Sequence, residues 1–170
     1  MEVPSSRAFL LMNHLEALVP RGLLSKGANF LNQPVNPDGL CSVRISYRSG
    51  RIEFIEPLNS SLPLPRKMVL PRLVEPHAHI DKAFTWSKAT NFSGTYKGAL
   101  QANLLEHQTR TSDEVRLRAK RSLELALKNG LRAVRSHVDS CEIGLNQTWD
   151  VLLSLRDEWK SLVDLQLVAL

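Results

Sequence analysis

The chain has 170 residues, of which 43% are hydrophobic and 23% are charged. These proportions are those of a globular protein and exclude an intrinsically disordered chain. The net charge of +5 is spread along the chain, and many of the basic residues lie between residues 110 and 135 among acidic ones. Aromatic residues make up only 6% of the chain. A nucleic-acid-binding protein more often has a dense basic patch that contains aromatic residues, so we expect no nucleic-acid partner.

The amino-terminal region contains no segment that resembles a membrane anchor or a secretory leader. Its apolar run, residues 9–12, is too short for either, and we expect no membrane association. The two cysteines, Cys41 and Cys141, are far apart and form no C-x-x-C pair, which argues against a disulfide framework. A reducing cytoplasm is the location that this cysteine usage favours.

Residues 40–55 have the pattern of a β-hairpin. Apolar and polar residues alternate over residues 40–47, a tight turn follows at residues 48–51, and a second apolar strand begins at Ile52. The segment NPDG at residues 36–39 is a strong turn signal before the hairpin. We place a domain boundary near Arg66, with residues 1–66 as the amino-terminal segment of a small composite β-domain and residues 67–170 as a second domain.

The second domain begins with an apolar run at residues 68–74, whose length favours a buried strand. A loop that contains Gly94 and Gly98 is predicted to follow. Thr111 and Glu114 have the spacing of a capping box at the start of a helix, and Gly130 is placed to end it. The apolar stripe of that helix consists of Val115, Ala119, Leu123, Ala126 and Leu127.

The remaining pattern predicts a strand at residues 131–139, a helix at about residues 146–160 and a strand at residues 164–170. Strands that alternate with helices indicate parallel βαβ units with right-handed crossovers. A parallel strand needs neighbours on both edges and cover on both faces. Because the sequence ends at the third such strand, we expect a fragment or a truncated gene product.

The motif that carries chemistry is His77-Ala78-His79, directly after the first of these strands. Residues i and i+2 of a strand point to the same face, so the two imidazoles can converge on one metal ion. Imidazole suits zinc or iron, and such an ion lowers the pKa of bound water to roughly 7. The alternative interpretation is that two histidines at a strand end are ordinary surface or loop residues.

Residues 73–82, LVEPHAHIDK, closely resemble the first-strand motif of cytosine deaminases and related aminohydrolases of the amidohydrolase superfamily. Residues 129–139 resemble the second strand of that family, and residues 164–169 resemble its third. The resemblance covers roughly residues 40–170. It implies an α/β fold in which the chain forms the first three strands of an incomplete TIM-type (β/α) barrel, preceded by a small β-domain segment.

The resemblance also implies a function. His77 and His79 would bind one divalent metal ion, zinc or iron, in an enzyme of pyrimidine metabolism that hydrolyses cytosine to uracil and ammonia. In the family, the other metal ligands, the catalytic glutamate and the substrate-binding glutamine come from later positions, which this chain does not contain. The alternatives are another cyclic amide or triazine substrate, a non-catalytic remnant, and a partial barrel completed by a second chain or a homo-oligomer.

Four further residues near the motif are candidates for contacts with a small cyclic amidine. Asp81 would line the pocket or orient a ligand histidine, or alternatively cap the loop or pair with Lys82. Lys82 resembles the Asp-Lys of relatives that act on triazines, or is a surface lysine. His137 and Asp139 point the same way at the end of the second strand, where they would contact substrate or satisfy buried backbone groups.

Two aromatic residues follow the motif in the predicted loop. Phe84 and Trp86 would stack on a planar heterocycle, or alternatively cover the barrel rim. Trp149 and Trp159 are interpreted as helix-packing residues, and His14 and His107 as structural or solvent-exposed.

Overall fold

The structure is a computed structural model that describes residues 12–25, 30, 32–58, 64–140 and 145–170. The chain divides into two compact units, Met1–Pro71 and Arg72–Leu170. The assignment of residues 1–66 to a composite β-domain stays a prediction.

The first unit is built on an antiparallel sheet of three strands in the order β1-β2-β3. These are β1 (Asn13–Pro20), β2 (Leu40–Arg48) and β3 (Arg51–Pro57). The predicted hairpin is therefore confirmed, and its turn uses left-handed backbone at Ser49 (φ 49°) and Gly50 (φ 74°). Cys41 lies buried in the core of this unit as a free thiol. Cys141 lies outside the described residues.

The buried face of the hairpin is shorter than the alternation predicts. Val43 and Ile45 are buried, but Tyr47 is 37% exposed. The register between β2 and β3 shifts between Ser46 and Tyr47, and a bulge of this kind turns the side chains that follow it away from the face they would otherwise share. Local alternation alone does not reveal such a bulge.

The second unit contains a parallel sheet of three strands in the order β4-β5-β6. Its elements, in chain order, are β4 (Leu73–Ala78), α1 (Tyr96–Thr109), α2 (Ser112–Lys128), β5 (Leu131–Val138), α3 (Leu145–Trp159) and β6 (Asp164–Ala169). Strands β5 and β6 and the helices at residues 112–128 and 145–159 agree with the prediction. The first strand was predicted as a buried strand at residues 68–74, but it lies at Leu73–Ala78, where Leu73 is 57% and Val74 is 61% exposed.

The core of the second unit lies between the sheet and helices α2 and α3. Leu123, Leu152 and Leu155 are fully buried there against Val134 and Val138 of β5. The predicted stripe of α2 is thus the face that packs on the sheet. The capping box is also present: the Thr111 hydroxyl accepts from the Glu114 amide at 3.3 Å, and the Glu114 carboxylate accepts from the Thr111 amide at 3.4 Å.

Helix α1 corrects the prediction of a plain loop between the first strand and the capped helix. Gly98 lies in its first turn, and the Thr95 hydroxyl caps that turn by accepting from the Gly98 amide at 3.1 Å. The sequence pattern does not predict this helix, because it has no apolar stripe that faces the core. Tyr96 is 86% exposed and Leu100 is 48% exposed. Hydrophobic periodicity reports burial, and this helix buries few apolar side chains.

The described ranges therefore form a mixed α/β structure with three helices and two sheets. The three parallel strands are those of the predicted barrel segment, but the incomplete barrel itself stays a prediction. Within the described ranges, no helix is both long enough and apolar enough to cross a membrane. The predicted cytoplasmic location is likewise still a prediction.

Candidate metal and substrate site

The histidine motif lies at an irregularity in the sheet. Glu75 pairs with Val134 and Ala78 pairs with Ser136, so that Pro76 and His77 together lie opposite a single residue of β5. Such a bulge re-aims the side chains at a strand end, a frequent feature next to functional sites. The backbone beyond the bulge is fixed to β5, because the buried Ser136 hydroxyl accepts a hydrogen bond from the Ile80 amide at 3.1 Å.

Three imidazole rings gather at this end of the sheet. The rings of His77 and His79 have centroids 5.4 Å apart, and the His137 ring from β5 stacks on His77 at 4.0 Å with an interplanar angle of 29°. The His137 and His79 rings are 6.0 Å apart. The parallel register of β4 and β5 brings together histidines that are 58 residues apart in sequence.

The His79 ring has a fixed orientation. Its Nδ1 lies 2.8 Å from the His137 carbonyl oxygen, and because a carbonyl only accepts, this nitrogen carries the proton. The lone pair of this tautomer then lies on Nε2. A hydrogen bond from the non-ligating nitrogen to a carbonyl is the usual support of a metal-binding histidine.

The His77 and His79 pair fits one shared metal ion. Two imidazoles that each bind a zinc ion at about 2.0–2.1 Å have ring centroids no more than roughly 6.5 Å apart. The observed separation of 5.4 Å is within that limit. Among the described residues, no group of three or more His, Cys, Asp or Glu side chains is arranged to hold a metal ion. His77 and His79 therefore stay predicted ligands, and the described residues do not complete a metal site around them.

His137 stacks on His77, and within the described residues the three rings together are not arranged to hold a metal ion. Partial burial lowers the pKa of His137 below its ordinary value of 6.5, and the neighbouring His77 and His79 rings lower it further. The ring is therefore uncharged at neutral pH. A neutral imidazole in this position would not repel a cation bound by His77 and His79.

Lys82 and Asp139 form an ion pair beside the histidines. Their Nζ and Oδ2 atoms are 2.5 Å apart, and the Lys82 side chain is only 18% exposed, so it is not a freely solvated surface lysine. The Asn103 amide of α1 donates to the same carboxylate oxygen at 3.4 Å. Burial alone would raise the pKa of Asp139, but the hydrogen bond and charge of Lys82 outweigh burial and lower it.

A cavity of about 940 Å³ lies next to these groups, between the end of the sheet and helix α1. His79, Lys82 and Asp139 line its polar side. Phe84 and Trp86 from the loop after β4 also line it, with Trp86 66% exposed. The Arg121 guanidinium lies 4.4 Å from the centroid of the Phe84 ring and covers one face of it, while the indole of Trp86 lines the cavity.

Asp81 has a different environment from the other candidate residues. It is fully buried, and its carboxylate faces Arg110 at 3.5 Å rather than the cavity. Burial raises the pKa of Asp81 in spite of the positive charges of Lys82 and Arg110. The roles assigned to Asp81, His137 and Asp139 in substrate binding stay predictions.

Sequence reasoning missed a buried charged cluster that adjoins the site. It consists of Asp81, Glu106, Arg110 and Arg118, and Asn103 links it to Asp139. Glu114 and Arg118 have the i,i+4 spacing of an ion pair on one helix. Arg118 is nevertheless buried and binds Glu106 at 2.6 Å, while Glu114 binds Lys88. The available signal was that Arg118 lies one helical turn from Val115, on the buried face of α2.

Glu106 provides a prediction on pH dependence. Burial disfavours its charged form, but hydrogen bonds from Arg110 and Arg118 outweigh burial and lower the pKa below the ordinary value of 4.5. The stabilisation that follows is complete above 4.5 and is lost as the pH falls through the lower folded-state pKa. Arg118→Met is expected to raise the pKa of Glu106, measured from the carboxyl carbon shift by NMR. Arg116→Met, on the same helix, is the control and should leave it unchanged.

The chain is similar in sequence to known deaminases and amidohydrolases. The chain is 31% identical over 140 residues to pterin deaminase of Rhizobium rhizogenes, covering 78% of this chain and 32% of that protein. It is 26% identical over 111 residues to N-isopropylammelide isopropyl amidohydrolase of a Pseudomonas species, covering 60% and 27%. No family model matches the chain.

The chain is also similar in fold to solved structures of such enzymes. The structure of 5-methylcytosine deaminase from Klebsiella pneumoniae, liganded with phosphonocytosine, matches with a TM-score of 0.63 and 26% identity, over 76% of this chain and 33% of that one. N-isopropylammelide isopropylaminohydrolase from Burkholderia multivorans matches with a TM-score of 0.55 and 22% identity, over 91% and 37%. The chain spans about a third of the length of the relatives that it matches.

Together these relatives place the chain, over the part that they cover, in the cytosine deaminase-like amidohydrolase superfamily. The predicted resemblance to this superfamily is thereby confirmed. Deaminases and amidohydrolases hydrolyse C–N bonds, and members of the superfamily are generally metal-dependent.

Proposed function

We propose that this chain carries the metal-binding histidine pair of a hydrolase that cleaves a C–N bond of a small cyclic amidine. The observation that carries the proposal is the His77 and His79 pair at the carboxyl-terminal end of a parallel strand. The His137 carbonyl oxygen, 2.8 Å from Nδ1, orients the His79 ring. Active sites of barrel enzymes lie at this end of the strands. In this proposal, β4, β5 and β6 are the first three strands of such a barrel.

His77 and His79 would hold a divalent zinc or iron ion, which when bound would lower the pKa of water so that hydroxide is available at neutral pH. The chain's own residues would hold the substrate. Trp86 offers an open indole face for a planar ring, and the Lys82 and Asp139 pair offers a donor and an acceptor at the cavity wall. Among the described residues, we assign none to the proton transfers of deamination.

Cytosine is the first substrate that we propose, because the first-strand motif resembles that of cytosine deaminases. Pterin is a second candidate, supported by the 31% identity with a pterin deaminase and by a cavity of about 940 Å³, which is large enough for a bicyclic ring. An alkylamino triazine is a third, supported by the similarity to the isopropylammelide enzymes. All three are planar heterocycles that bear an exocyclic nitrogen.

The test is release of ammonia or, from N-isopropylammelide, of isopropylamine by the purified chain after loading with zinc or iron. Cytosine, pterin and N-isopropylammelide are supplied separately, and a His77→Ala, His79→Ala double variant is the matched control. If the wild-type chain releases amine from any of the three compounds and the double variant does not, the result would support the proposed hydrolase activity. A metal-loaded chain that releases no amine from any of them would refute catalysis by this chain and favour a non-catalytic remnant or a partial barrel that needs a second chain.

A further inference from the structure

Helix α1 is held to its unit differently from the other two helices. Helices α2 and α3 place leucines in the apolar core, whereas the one buried residue of α1 is Glu106. The large apolar side chains of α1 are exposed, with Leu105 at 63% and Tyr96 at 86%. Most helices in proteins are stabilised by the packing of an apolar face, and α1 lacks this support among the described residues.

A charged cluster takes the place of apolar packing. The Glu106 carboxylate accepts hydrogen bonds from Arg118 of α2 at 2.6 Å and from Arg110 at 2.6 and 2.9 Å. Arg110 in turn faces Asp81, in the loop after β4, at 3.5 Å. These contacts bring the carboxyl-terminal end of α1 against both α2 and the end of the sheet.

The cluster is incompletely satisfied. Within the described residues, Nε and Nη2 of Arg118 and both carboxylate oxygens of Asp81 are buried without a hydrogen-bond partner. A buried ionic network stabilises strongly only when every member is satisfied, because otherwise the cost of desolvation offsets the attraction. The attachment of α1 is therefore weaker than that of a helix that packs by apolar burial.

Both ends of α1 are suited to act as hinges. Gly94, with φ 62°, immediately precedes the N-cap Thr95. At the other end, Arg110 and Thr111 are both extended and separate α1 from α2. A change of backbone angles at these few positions can move the helix while α2 stays in place, as in other hinged elements.

A movement of α1 would change access to the cavity beside the histidines. Ala99, Leu100 and Asn103 of α1 line the cavity of about 940 Å³ whose opposite side carries His79 and Lys82. We propose that α1 is a gate to this cavity, which opens when Glu106 separates from Arg118 while the sheet, α2 and α3 stay folded. The gate is independent of whether the site performs the proposed reaction.

Native-state hydrogen exchange of the wild-type chain tests the gate directly. Below the unfolding transition, the amides of α1 are expected to exchange by a local opening about ten-fold or more faster than the protected amides of α2 and β5. Equal protection of α1 and α2 would overturn the proposal. This measurement needs no variant and so does not depend on how a substitution affects folding.

Glu106→Gln identifies the contact that holds the gate closed. The loss of charge is expected to accelerate exchange across Tyr96–Thr109 about ten-fold or more, while β5 exchanges as in the wild type. Glu124→Gln, at an exposed position of α2, makes the same chemical change and should leave exchange in α1 unaltered. An unchanged α1 in Glu106→Gln, or equal acceleration of α1 and β5, would show that this cluster does not gate the cavity.

Discussion

A chain in which His77 and His79 are both replaced by alanine is expected to bind zinc roughly 100-fold more weakly, or worse, than the wild type. In the proposed site each imidazole would supply one nitrogen ligand, and the two rings, with centroids 5.4 Å apart, are close enough to share one ion. A hundred-fold loss corresponds to about 2.7 kcal/mol of binding free energy. Affinity is measured by competition with a chromophoric zinc indicator near neutral pH.

The control for this measurement is His14→Ala. His14 lies in the first unit on β1, where its Nδ1 is 2.9 Å from the Ser46 hydroxyl, so its loss removes an imidazole without touching the histidine pair. The zinc affinity of this variant should equal that of the wild type. If the double variant also kept wild-type affinity, the assignment of the metal to His77 and His79 would be wrong.

The second large effect is expected on stability. Leu123→Ala removes a fully buried side chain from the core between α2, α3 and β5, which should lower the free energy of unfolding by about 2–5 kcal/mol. The loss combines the transfer of the side chain to solvent with the cavity that remains. Urea denaturation followed by circular dichroism provides the measurement.

Leu117→Ala is the matched control, because it makes the same change on the same helix at a position that is 73% exposed. Its cost should be within about 0.5 kcal/mol. Similar losses in the two variants would contradict the packing of α2 on the sheet through the face that contains Leu123.

Residues with strong local patterns were predicted correctly. The Thr111 and Glu114 capping box depends on a spacing of three residues, and the hairpin at residues 40–55 depends on alternation and a short turn. Helix α1 was missed because its leucines and Tyr96 do not form a buried stripe. Where a helix is held by Glu106 and two arginines, apolar periodicity carries no information about it.

The sequence by itself determined the His77 and His79 motif and the alternation of three strands with helices α2 and α3, because both depend on short spacings along the chain. Only the tertiary structure decided the rest of the site. The pairing of β4 with β5 brings His137 to 4.0 Å from His77, and the return of α1 over the sheet brings Asn103 to 3.4 Å from Asp139. These groups are tens of residues apart in sequence. Their contact is set by strand register and by the placement of α1, which local residue patterns do not encode.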